Sequence, residues 1–195
     1  IAGALLGSYT YSQPDLREAA KLTYVENKNY FQANAFVNHW NEMVARAKLF
    51  PKVQVAFPIP AGADQYDIIK AVNDYISYDN YPYMHDKEQY GRVEYWATPY
   101  EFFTNGKGDC EDYAIAKYSV LKALGIPAEN MFLAVMKHSS QPFYDRSAHA
   151  VLLVNYNGLF LILDNAQKSM YTLNTALEAG YEFKFIINEY THKVL

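Results

Sequence analysis

The chain has 195 residues, of which 51% are hydrophobic and 19% charged, a balance that provides for a packed core and excludes a disordered polymer. With 17 basic against 21 acidic residues the formal net charge is −4, and no basic run occurs. Nucleic acid is therefore excluded as a partner, because phosphate binding needs clustered Lys and Arg. The opening IAGALLGSYTYS is apolar but short; it reads either as the remnant of a removed signal peptide or as a plain terminal segment. No apolar run approaches membrane-span length, so direct membrane insertion is not expected. Residues 1–80 read as mainly helical. In NAFVNHWNEMVARAKLF, Phe36, Val37, Trp40, Val44 and Ala47 recur at helical spacing and predict one buried stripe. Pro58, Pro60 and Gly62 then break any helix, and Asp64 can cap the next, in which Ile68, Ile69, Val72 and Ile76 share a face. DNYPYMHDKEQYGRVEYWATPYE is polar, aromatic and irregular and predicts a long surface loop, a setting that commonly carries function. Tyr83, Tyr90 and Tyr95 in it either line a peptide groove or pack on one another.

The single cysteine closes no intramolecular disulfide and cannot alone make a thiolate zinc site. It opens a predicted helix from about Cys110 to Leu124, with Ala114, Tyr118, Leu121 and Leu124 along one side and Gly125 as the stop. After this helix the period becomes strand-like: MFLAVMK, HAVLLVNY, LFLILDN and FKFIINEY predict an antiparallel sheet. Helices followed by strands give an α+β fold. The expected organisation is a single domain over 1–195, with the cysteine helix and sheet in 95–195.

Asn157-Gly158 between two of these strands is a strong signal for a two-residue type I′ hairpin. Such a turn pairs Tyr156 with Leu159 and puts His149, Val151, Asp164 and Ala166 on one face, with His149 and Asp164 diagonal neighbours. A carboxylate beside an imidazole fixes its tautomer and leaves the other nitrogen to serve a nucleophile. If the N-terminus of the helix carrying Cys110 packs against this face, the three groups form a Cys-His-Asp triad, with the helix dipole favouring a thiolate. The remaining histidines, His39, His85, His138 and His192, show no comparable partner pattern.

Asp109, Glu111 and Asp112 surround the sulfur, and two explanations stand side by side. Asp109 is a good N-cap, and Asp112 three residues later is near a capping box. Yet a like charge at about 4 Å opposes a thiolate by about 1 kcal/mol in water and about 4 at an effective dielectric of 20. A hard cation would cancel that opposition, and oxygen ligands suit calcium. Asp109 and Glu111 are then candidate ligands, with Asp112 a weaker third.

YWATPYEFFTNGKGDCEDYAIAKYSVLKALGI, followed by HAVLLV and LILDN, resembles the bacterial transglutaminase-like cysteine proteases, in particular the LapG-type periplasmic group that releases large surface adhesins. The resemblance is detailed from Tyr95 to Asn165 and extends to the N-terminal helices only in character. It implies a papain- or transglutaminase-like core with Cys110 as nucleophile, His149 as base and Asp164 as orienting acid. It also implies calcium bound through Asp109 and Glu111, and a periplasmic location. The implied substrate is a large adhesin cut at a paired-alanine site, and the implied partner is the periplasmic domain of an inner-membrane cyclic di-GMP receptor. Trp96 resembles a tryptophan that supports the transition state in related transglutaminases, although its indole can equally serve packing. Two other functions use the same fold: transglutaminase-type acyl transfer by the same triad, and a non-catalytic peptide-binding module, against which an intact triad argues.

Overall fold

A computed structural model describes residues 28–52, 57–140 and 148–195. The apolar opening IAGALLGSYTYS lies outside the described residues, as does most of the loop that follows His138. The first helix, α1 (Lys28–Ala47), presents the expected stripe: Trp40 and Met43 are buried, and Phe36, Val37, Val44 and Ala47 pack beside them. Asp64 caps α2 (Gln65–Tyr75) in a reciprocal box with Asp67, whose N–H donates to Asp64 Oδ1 at 2.9 Å.

The segment expected to be a surface loop differs. It contains a short α3 (Asp86–Gln89) and runs into α4 (Pro99–Asn105), with Asp86, Trp96, Ala97 and Thr98 buried. Hydrogen bonds hold it inward: the Tyr95 N–H donates to Asp86 Oδ2, and the Ala97 N–H donates to Asp112 Oδ1 at 2.7 Å. The start of α4 was legible in TPYE. Thr98 caps, Pro99 sits in the first turn, and Glu101 Oε2 accepts from the Thr98 N–H at 2.7 Å.

The cysteine helix α5 (Cys110–Ala123) ends as expected, with Gly125 at φ +93. It is buried almost all round rather than on one side, since Tyr113, Ile115, Ala116 and Lys117 are inaccessible as well. A helix packed between others and a sheet has no solvent face for a polar stripe.

After a 3₁₀ turn at Ala128–Asn130 come β1 (Met131–His138), β2 (His149–Tyr156), β3 (Leu159–Leu163), β4 (Tyr171–Thr172), α6 (Leu173–Glu178), β5 (Tyr181–Ile187) and β6 (His192–Val194). The sheet is antiparallel in the order β4-β3-β2-β1-β5-β6. Asn157 and Gly158 both have positive φ, and Tyr156 pairs with Leu159, the register the turn predicts. The last predicted strand stops earlier than FKFIINEY suggests. Asn188 turns the chain, donating to the Ala128 and Met131 carbonyls at 3.3 and 3.1 Å and accepting from the Tyr190 and Thr191 N–H groups.

One face of the sheet (Leu133, Leu152, Val154, Leu163, Phe185) packs on α1, α2 and α5. The other (Ala134, Val151, Leu153, Ile162) packs on α6. Mixed helices over an antiparallel sheet make the fold α+β. No helix among the described residues is long and apolar enough to cross a membrane.

Candidate active site

Cys110 is the first residue of α5, half-buried at the floor of a cleft of about 750 Å³ walled by Tyr83, Trp96, Val135, Ala148, Ala150 and Phe185. Its N–H is one of the first-turn amides that no intrahelical carbonyl can reach. The thiol donates to Glu111 Oε2 at 3.3 Å.

His149 Nε2 donates to Asp164 Oδ1 at 2.7 Å. Because a carboxylate only accepts, the proton of a neutral ring resides on Nε2, and Nδ1 is the nitrogen left for the sulfur. Burial alone would depress this imidazole. Hydrogen bonds with Asp164 and Cys110, aided by their charges, override it and push the ring up to about 10. Burial likewise works to raise Asp164, but the imidazole, the Ala166 N–H at 2.8 Å and the Tyr171 hydroxyl at 2.9 Å bring it below the usual carboxylate range. Tyr171, far along the chain in a two-residue strand, left no sequence signal.

The body of α5 covers the face of the sheet opposite to that of His149 and Asp164. Val151 and Ile162, which share the parity of His149 and Asp164, pack against α6, whereas α5 lies on the Leu152 side. Sulfur and imidazole come within interaction range with both at element ends: Cys110 begins α5 and His149 begins β2.

The acidic residues divide into two sets. Asp112 faces inward and accepts from two backbone amides, the Ala97 N–H at 2.7 Å and the Asp109 N–H at 3.3 Å, closing the capping box. Asp109 and Glu111 instead meet Asp86, and the three offer oxygens within 4.8 Å of one another. All three residues are buried, and Asp86 Oδ1, Asp109 Oδ1 and Glu111 Oε1 have no hydrogen-bond partner. Burial and the charge of Asp109 push Asp86 up to about 7, while burial and neighbouring charges, including those of Cys110 and Asp109, raise Glu111 well above its ordinary value. Three orphaned carboxylate oxygens in a buried pocket fit a hard divalent cation of the calcium kind. Asp86, in YMHDKEQ, has no local pattern that marks it as a ligand.

Trp96 is almost wholly buried, edge-on to Phe36 and stacked with His39, and its indole N–H donates to Glu94 Oε1 at 2.9 Å. In this arrangement that N–H is engaged by Glu94. Of the loop tyrosines, Tyr83 lines the cleft, while Tyr90 and Tyr95 pack on each other with ring centroids 4.3 Å apart.

The family model of the bacterial transglutaminase-like cysteine proteinases matches residues 27–191. The chain belongs to this family. The family is one of cysteine proteinases, and the single cysteine of this chain, Cys110, lines the cleft. Among solved structures, calcium-bound LapG of Legionella pneumophila is similar over 80% of this chain and 75% of that one, at 22% identity and a TM-score of 0.55. A second LapG structure is similar over 84% and 80% at 21% identity, and an EGTA-treated one over 84% and 78% at 20%, both with TM-scores of 0.55. At these identities the likeness is one of fold. No curated protein matches the chain.

Proposed function

We propose that the protein is a calcium-dependent cysteine endopeptidase in which Cys110 is the nucleophile, His149 the base and Asp164 the acid that orients it. The observation that carries this reading is the buried Asp164 carboxylate held on the His149 imidazole, which interacts in turn with the Cys110 sulfur at a helix start lining a cleft. The Cys110 thiolate attacks the scissile carbonyl, forming a C–S bond, and the Cys110 N–H donates to the developing oxyanion. The His149 imidazolium gives its proton to the leaving amine as the C–N bond breaks. Nδ1 then takes a proton from water, whose oxygen attacks the thioester carbonyl, and the C–S bond breaks to release the acid and restore the thiol. Asp164 keeps the ring in one tautomer throughout.

Calcium held by Asp86, Asp109 and Glu111 supplies positive charge that offsets the acids flanking the sulfur. The calcium-bound state of the similar LapG structure supports this choice of ion. The resemblance in YWATP and GDCEDYAIAKY supports the remainder: action in the periplasm on the N-terminal region of a large surface adhesin at a paired-alanine site, controlling biofilm attachment, with the enzyme restrained by a cyclic di-GMP receptor. Incubation with the N-terminal part of an adhesin from the same genome tests the whole. Cleavage is expected with calcium and is lost with chelator or in Cys110→Ala; intact substrate in every arm would sink the reading.

A further inference from the structure

The Asp164 carboxylate is gripped on both oxygens. Oδ1 accepts from His149 Nε2 and from the Ala166 N–H, while Oδ2 accepts from the Tyr171 hydroxyl at 2.9 Å. Tyr171 stands on β4 directly across from Ile162. Its ring therefore shares the face of Ile162 and of Asp164, which lies just past the end of β3. The phenol is only a donor here, because burial and the Asp164 charge push its ionisation far above the ordinary tyrosine range. Among the described residues the only ion pair to Asp164 is that with His149. Besides His149, the carboxylate is oriented by two neutral donors, the Ala166 N–H on Oδ1 and the Tyr171 hydroxyl on Oδ2.

We infer that Tyr171 is a positioning residue for the reaction: its hydroxyl pins Oδ2, stops rotation of the carboxylate about Cβ–Cγ, and so presents Oδ1 to His149 Nε2. This rests on the triad reading above. The Tyr171 hydroxyl donates to the Asp164 carboxylate, so it acts through Asp164. Removing the hydroxyl leaves a buried carboxylate oxygen without a donor. The carboxylate then turns or takes a proton, the Nε2 proton loses its fixed acceptor, and the thiolate–imidazolium pair weakens.

The test uses the calcium-loaded protein and iodoacetamide as the probe of Cys110, so that no substrate need be known. Tyr171→Phe, nearly isosteric, is expected to slow alkylation at pH 7 about tenfold, the loss of one hydrogen bond to a charged group. The downfield Nε2 proton resonance of His149 should broaden or vanish in its NMR spectrum. In an Asp164→Asn background, which is itself slow, Tyr171→Phe should add nothing. A parent-like rate and resonance in Tyr171→Phe, or the same fractional loss in both backgrounds, overturns the positioning role while leaving the triad intact. A parent-like rate in Asp164→Asn overturns the triad reading and this inference together. Should Tyr171→Phe melt early, the resonance below its melting temperature decides: retained and sharp, it overturns the proposal.

Discussion

Lys117 sits two turns below Cys110 on α5, fully buried, with its ammonium donating to Asn73 Oδ1 at 2.9 Å. Burial lowers it to about 7, with the charges of Asp164 and Asp74 only partly opposing the shift. Between about pH 7 and its ordinary value of 10.5, the unfolded chain binds this proton and the folded chain does not. Stability from this group therefore rises with pH across that window. Lys117→Met should flatten the rise and leave the protein at least as stable at pH 7, read from denaturant midpoints at several pH values. Asp86 makes the opposite kind of residue-scale prediction. Asp86→Asn removes one charge from three clustered acids and should weaken calcium binding at least tenfold by titration calorimetry, at the cost of little stability without calcium.

At the scale of elements, the approach to the cysteine helix is the most tightly built junction. The Gly108 carbonyl accepts from the Met84 N–H at 3.0 Å, and a Cβ at Gly108 would lie 2.6 Å from Asp112 Oδ2 and 2.7 Å from Asp112 Cβ. Gly108→Ala must therefore push the link before α5 away from Asp112 in the first turn of that helix. It should cost about 1–3 kcal/mol by thermal or chemical melting, with slower Cys110 alkylation because the sulfur moves with that turn. Elements whose sequences carry their own punctuation were legible in advance: α2 from Asp64, α5 from Asp109 to Gly125, and the β2–β3 register from Asn157-Gly158. The Thr98–Glu101 box was equally written, and only the irregular residues before it hid α4. By contrast β4 and β6 are two and three residues long; pairing with β3 and β5, not any period of their own, makes them strands.

Across the whole molecule, the acidic cluster joins two parts of the chain whose one secondary-structure link among the described residues is the Tyr83–Gly108 bridge. Asp86 belongs to the segment between α2 and α4, while Asp109 and Glu111 belong to the start of α5. A cation shared among them would tie one wall of the cleft to its floor. Calcium should raise the melting temperature and slow hydrogen exchange in 83–96 and 106–112, leaving β1–β3 unchanged, and Asp86→Ala should abolish both effects. By itself the sequence determined the α+β class, the helix that carries the sulfur, and the pairing of His149 with Asp164. Those follow from caps, hydrophobic period and a two-residue turn, all of which act over a few neighbouring residues. Tertiary structure alone decided that the sulfur reaches the imidazole around the end of the sheet, that Asp86 and not Asp112 completes the acid cluster, and that Tyr171 holds Asp164. The first two join residues well separated in the chain, and the third depends on a two-residue strand with no period of its own; such contacts are set by packing and burial, which leave no periodic trace.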